Sequence, residues 1–349
     1  MTVFSDKWSA RAKQSGFSMI ELMISMVISL VLIAGVVSVF QSNKRTYITG
    51  DALAEIQENV RIAYDYIARE VRMAGSGYSC LANVTTVQNM LNSTDFDFNF
   101  AQPLEAYDNG NNLPAALSGV VKSGTDVLVV RGTYGVGAKL ETELDNPSAS
   151  LKVTSIDPPP MGVDDIVVVT DCRTASIFQI TNFSGNGNSG SDNVVHNTGT
   201  GTPGNQTKDF IYPFQAGATV IKTRTIAYYI GTNANGESAL FQRATDQGSS
   251  DTIEVVEGIQ DMQLTFGVDT NDDGLPEGYY TPTQITDGSI GAEWSDAISA
   301  RINLLVRSID DNVVDSISSY TFNGKTITPT DKRMYREVSF VVAIRGRLQ

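Results

Sequence analysis

Nineteen residues from Leu22 to Phe40, "LMISMVISLVLIAGVVSVF", carry no charge. At 1.5 Å rise per residue a helix of that length covers about 30 Å, the thickness of a bilayer's hydrocarbon core. A segment this apolar on every side must be covered by lipid or by other protein. Glu21 stands at its mouth, although an acid at the centre of a bilayer costs roughly 2.5–3.5 kcal/mol on insertion scales. Ahead of it lie Lys7, Arg11 and Lys13 against Asp6, a net positive leader that reads as cytoplasmic. A secretory signal would place a small-residue cleavage site after the apolar run, where this chain has "FQSNKR". The small residue comes before the run instead, at Gly16. Cutting there would remove the leader and keep the helix on the mature chain; an uncleaved membrane anchor is the alternative.

The helical pattern continues past the apolar run. Leu53, Ile56, Val60, Ala63, Ile67, Val71 and Ala74 recur at spacings of three and four, one face of an amphipathic helix. Glu58, Arg61, Asp65 and Arg69 occupy the other face, with Arg61–Asp65 and Asp65–Arg69 spaced for i,i+4 pairs. The glycines of "AGSGY" stop it. A continuous helix over 17–74 is the result, with a coiled-coil dimer as its rival. Beyond it the signal turns to strands: "DVLVVRG", "DDIVVVTD", "SIFQITNF", "TVIKTRTIAYYIG", "ALFQRA", "MQLTFGVD", "ARINLLVRSI" and "EVSFVVAIRGRL". "GTNANGES" reads as a hairpin loop with Gly236 at positive φ. The fold class is α+β, a long N-terminal helix packed on a mainly antiparallel sheet. The chain divides into a leader (1–16), a transmembrane half-helix (17–40), an amphipathic half-helix (41–75) and a β-rich head (76–349), with residues 80–125 a candidate inserted subdomain. The polar tract 182–209 reads as a mobile loop.

Composition narrows the function. A net charge of -14 without any Lys/Arg cluster argues against nucleic acid. One histidine and two cysteines are too few for an ordinary zinc site. His196, in "SDNVVHNTGTGTPG", reads as a solvated loop histidine, and no nucleophile or phosphate-loop pattern stands out, so an enzyme is not expected. The rival from that class is a membrane-anchored periplasmic enzyme or carbohydrate-binding module, using Trp294, Tyr279 and Tyr280 as surface aromatics. "DTNDDGLPEGYY" places Asp269, Asn271 and Asp273 at positions 1, 3 and 5 of a calcium-type loop, with Gly274 at 6, the Leu275 carbonyl at 7 and Glu277 at 9. Position 12 is Tyr280 where a bidentate Glu belongs, so Ca²⁺ is the one cofactor to consider, with an acidic solvent turn as the alternative.

"GFSMIE" (Gly16 to Glu21), between a basic leader and an apolar helix, resembles the class III signal of type IV pilins and type II secretion pseudopilins. That resemblance implies cleavage by prepilin peptidase between Gly16 and Phe17 and N-methylation of Phe17. It also suggests a use for the acid. In stacked, staggered helices Glu21 would reach the new Phe17 ammonium of a neighbour, and a matched pair in a dry core is far less costly than a lone charge.

Four blocks, Ala52 to Cys80, Val167 to Thr181, Val256 to Gly274 and Tyr335 to Leu348, resemble the PilW family of minor pilins. This second resemblance implies a minor pilin that primes or supports pilus assembly, at the filament tip. Its partners would be other minor pilins, the major pilin and the inner-membrane assembly platform. The localisation implied is the bacterial inner membrane with a periplasmic head, then the pilus at the cell surface. A minor pseudopilin is the alternative function. Unlike many major pilins, this chain has no proline in the anchor helix; Gly35 is its one weak point. Export to an oxidising compartment would join Cys80 to Cys172. That disulfide would close a loop of about 90 residues and contribute about 4–5 kcal/mol in the chain-entropy model; two buried thiols are the alternative.

Overall fold

The computed structural model describes residues 16–75, 86–171, 173–185 and 190–345. The leader before Gly16, Cys80 and Cys172 lie outside the described residues. Two compact units are present, Met1–Asp51 and Ala52–Gln349. Helix α1 (Met19–Arg72, 54 residues) lies partly in each.

In the first unit the apolar side chains of α1, from Leu22 to Phe40, stand exposed. In the second, α1 becomes one-sided. Ala52, Ile56, Asn59, Ala63, Ile67, Val71 and Ala74 are buried, while Glu58, Arg61, Asp65 and Arg69 face solvent. The stripe lies close to the expected one, but Leu53 and Val60 are only half-buried and Asn59 takes a core position. Its amide donates to the Glu257 carbonyl at 3.1 Å, which satisfies a polar group that burial would otherwise penalise. Arg61 pairs with Glu58 at 2.6 Å, one turn back, and not chiefly with Asp65. Both are exposed, so the pair adds little. The helix ends where Gly75 adopts φ +69°, its amide donating to the Arg131 carbonyl at 2.9 Å.

The head carries β1 (Thr86–Asn89), β2 (Leu104–Tyr107), β3 (Val127–Lys139), β4 (Leu151–Thr154), β5 (Ile166–Thr170) and β6 (Thr174–Gln179). Then come β7 (Asn182–Ser184), β8 (Ser191–Val195), β9 (Thr219–Thr232), β10 (Ser238–Thr245), β11 (Ser250–Glu257) and β12 (Ile259–Val268). The last are β13 (Gly278–Tyr280), the short helix α2 (Pro282–Thr286), β14 (Ala297–Arg307), β15 (Tyr320–Phe322), β16 (Lys325–Ile327) and β17 (Tyr335–Ala343). Each of the eight expected segments carries a strand in its described part.

An eight-stranded sheet is built around β9. Strand β3 runs along one edge of it, and β5 and β10 share the other, on 219–222 and 225–232. Strands β6 and β1 extend the sheet beyond β5, β11 beyond β10 and β2 beyond β3. Pairing is antiparallel except between β1 and β6. A second, antiparallel sheet runs β13-β12-β14-β17. The chain crosses from one sheet to the other at Gly258, whose φ is +86°. A Cβ there would lie 2.8 Å from the Arg307 carbonyl oxygen, so only glycine fits both the conformation and the space.

Helix α1 touches both sheets. Tyr228 of β9 donates its hydroxyl to the Tyr66 carbonyl at 3.1 Å, and Arg224 of β9 pairs with Glu70 at 3.1 Å. Tyr64 packs edge-on to Phe340 of β17 with ring centres 5.0 Å apart. Asp126, buried at the head of β3, accepts from the amides of Asn109 (2.8 Å) and of Leu264 on β12 (2.7 Å). Burial pushes its carboxyl up to about 7 against those two bonds.

Two expectations for the head are corrected. The described part of 80–125 is no separate subdomain, because β1 joins β6 and β2 joins β3 in the main sheet. Arg131, fully buried, fastens it by donating to the carbonyls of Gln102 (2.7 Å) and Phe96 (2.8 Å) and to Glu105 (3.0 Å). Arg243 does the same through Asp97. The polar tract 182–209 also contains β7 and β8, which pair with each other, β8 pairing in addition with β4.

His196 is correspondingly not a solvated loop residue. It is 2% exposed and stacked on Phe210 at 4.4 Å, with Phe178 at 5.2 Å. Burial lowers its pKa to about 4. The neutral ring is therefore the folded form, and stability present above pH 6.5 is lost as pH falls toward 4. Urea unfolding of a soluble head fragment should show a loss over that interval about 3 kcal/mol larger in the native sequence than in His196→Phe. Equal losses would mean that the imidazole is not held neutral by the fold.

Candidate functional site

Two places carry the chemistry expected of this chain, and they lie in different units. The first is the start of α1. Gly16, Phe17 and Ser18 precede the helix in extended or irregular backbone, and Phe17 is 87% exposed. A Cβ built at Gly16 meets no described atom within 4 Å. Glu21 falls in the first helical turn. Its carboxylate is not idle there: Oε2 accepts from the Ser18 amide at 3.0 Å, and the Glu21 amide donates to Ser18 Oγ at 3.2 Å. This capping box is the pattern "S-x-x-E" ahead of an apolar run, legible in the sequence but not extracted from it. Ser25 and Ser29, deeper in the apolar stretch, turn their hydroxyls back to the carbonyls of Leu22 (2.9 Å) and Ser25 (2.7 Å). They therefore add little polarity to its surface.

The second place is the loop between β12 and β13. Asp269, Asp273 and Glu277 each present a carboxylate oxygen, all within 4.8 Å of one another. Asp269 is buried and organises the turn. Its Oδ2 accepts from the Gly274 amide at 2.7 Å and its Oδ1 from Asn271 (3.2 Å) and Asp273 (3.3 Å). Asn271 Oδ1 accepts from the Asp273 amide (2.9 Å), Asp273 Oδ1 from Leu275 (2.8 Å), and Glu277 Oε2 from Thr270 (2.8 Å). Asp272 and Gly274 take φ of +60° and +81°, which folds the chain tightly around Asp269. Among the described residues none of the three carboxylates is ion-paired with Lys or Arg. Carboxylate, amide and carbonyl oxygens in this order form a hard donor set that suits a cation such as Ca²⁺ and suits thiophilic metals badly.

Two of the three aromatic residues weighed for sugar binding, Trp294 and Tyr279, do other work. Trp294 is buried, edge-on to Phe266 at 4.9 Å, with its Nε1 donating to Thr286 Oγ1 at 3.3 Å. Tyr279 lies under the Arg301 guanidinium at 3.7 Å. A cleft of about 820 Å³ beside α2 is lined in part by Glu105, Asp108, Asp287 and Glu293, with neither histidine nor cysteine in its wall. Asp126 is a buried titratable group that the sequence alone did not announce; nothing in its short-range pattern distinguishes it from a strand-capping acid.

Comparison with known families bears on both ends of the chain. Residues 11–37 match the prokaryotic N-terminal methylation motif, and residues 227–346 match the family described as type IV pilus-assembly protein W. No curated protein and no solved structure matches. Of the four resembling blocks, Val256 to Gly274 and most of Tyr335 to Leu348 fall inside the second match, and the other two lie outside both. Such matches point to a structural, non-enzymatic protein that interacts with a prepilin peptidase and with other pilus components. The exposed apolar helix fits membrane anchoring. A prepilin-type N-terminus thus stands ahead of a head whose C-terminal portion is similar to the PilW family, and the two matches together support a type IV pilus-related pilin.

Proposed function

We propose that this protein is a minor pilin that primes or supports type IV pilus assembly within a minor-pilin complex, at the filament tip. It waits in the inner membrane with its head in the periplasm, then enters the pilus. Its neighbours are other minor pilins, the major pilin and the assembly platform. The observation that carries this reading is the exposed apolar helix led by a single acid four residues after an exposed Phe17. In lipid the helix is solvated; between protomers, the same side chains become a filament core. Glu21 then sets register by meeting the Phe17 ammonium of a staggered neighbour, and the heads, gathered at one end, form the first layer on which further subunits add.

Intact mass under non-reducing conditions should give a chain that starts at a singly methylated Phe17 and lacks the two hydrogens of a Cys80–Cys172 disulfide. A chain beginning elsewhere would overturn the pilin reading; free thiols would remove only the disulfide. Glu21→Ala should leave membrane insertion intact and block incorporation into filaments, read as the ratio of sheared pili to membrane fraction. Normal incorporation would reject the register role.

The acidic loop is proposed as a Ca²⁺ site of modest affinity, held by Asp269, Asn271, Asp273, Glu277 and the Leu275 carbonyl. Three carboxylate oxygens within 4.8 Å repel one another, and a divalent cation relieves that repulsion. Calcium titration of the native head should therefore release or absorb heat and raise the unfolding temperature. Asp269→Ala should abolish both signals, and no heat with no thermal shift in the native chain would remove the site.

A further inference from the structure

The capping box at the start of α1 places a second residue in the assembly chemistry. Three bonds define it. Ser18 donates its amide to Glu21 Oε2 at 3.0 Å and accepts the Glu21 amide on Oγ at 3.2 Å, while its carbonyl accepts the Leu22 amide at 3.2 Å. Ser18 is thus the N-cap and Glu21 the third helical residue. The bond from Ser18 uses one carboxylate oxygen. Among the described residues Oε1 has no hydrogen-bond donor, and both residues are exposed. Cleavage after Gly16 breaks no atom of the box, because the amide involved lies in the Phe17–Ser18 peptide.

We infer that Ser18 is the positioning residue for Glu21: it holds the carboxylate by one oxygen and leaves the other presented to a neighbouring protomer's amine. This rests on the register role proposed for Glu21. An unrestrained glutamate would lose the freedom of three side-chain torsions on forming an intermolecular ion pair. A glutamate already fixed in a box has lost most of that freedom before the neighbour arrives.

The experiment has two arms on the full matured chain. In lipid nanodiscs, amide exchange at Ser18 should be slow in the native chain and in Glu21→Gln, which keeps an acceptor oxygen, and about fivefold faster in Glu21→Ala. Equal rates in the native chain and Glu21→Ala would show that the box does not form, and would overturn the inference. In cells, Ser18→Ala should lower filament incorporation about fivefold, with cleavage, Phe17 methylation and membrane level unchanged, and Ser18→Thr should restore it. Unchanged incorporation in Ser18→Ala beside failed incorporation in Glu21→Ala would sink the positioning role alone. Loss of cleavage or insertion in Ser18→Ala would reduce Ser18 to a helix-start residue and equally overturn it. Normal incorporation of Glu21→Ala would instead sink the register reading itself, whatever the exchange rates.

Discussion

One helix must satisfy two solvents, and the rest of the structure depends on that constraint. Up to Phe40, α1 offers apolar side chains in every direction; from Ala52 it offers them along one stripe. The first pattern has no stable state in water and the second none in lipid. The head exists to accept the stripe. Its central strand β9 and the C-terminal strand β17 both supply partners, through Tyr228, Arg224 and Phe340. Within the stripe Asn59 closes on the chain just before the sheet-to-sheet corner at Gly258.

Polar contacts in this head serve mainly to place irregular backbone. Arg131 and Arg243 tie the loop before β2 into the sheet, where a guanidinium reaches several carbonyls and a carboxylate at once. Glu237, in the β9–β10 hairpin, binds both Arg307 of β14 and Arg333 ahead of β17, with Arg333 at 2.9 Å. Asp126 joins β3 to β12 through two backbone amides. These groups occupy positions where a loop meets a sheet or one sheet meets the other, the places that apolar packing alone would leave undetermined.

Much of this could be read before any coordinates. Long β-branched runs such as Thr219 to Gly231 announce buried strands because few other environments accommodate them, and the three-and-four spacing announces the helix stripe. Strand β8 stayed hidden because Ser191, Asp192 and Asn193 make the tract read as polar, although Val194 is buried and the strand pairs with β4 and β7. His196 was misjudged for the same reason: its neighbours in sequence are polar, and Phe178 and Phe210 arrive only through the fold. Asn59 shows the limit of a pattern that counts apolar residues, since its partner is a carbonyl 198 positions away. The spacing of Asp269, Asn271, Asp273 and Glu277 did foretell a shared locus for the three acids. The Ser18–Glu21 box was equally legible, and was obscured by the stronger signals on either side of it.

Because one helix grips both sheets, neither can be stripped away without breaking contacts of the other. Local opening in such a head tends toward all-or-none behaviour, since the cheapest partial unfolding already forfeits the shared stripe. A subunit pulled along its helix would thus share the load between two β-layers and give way abruptly, with no gradual stretching beforehand.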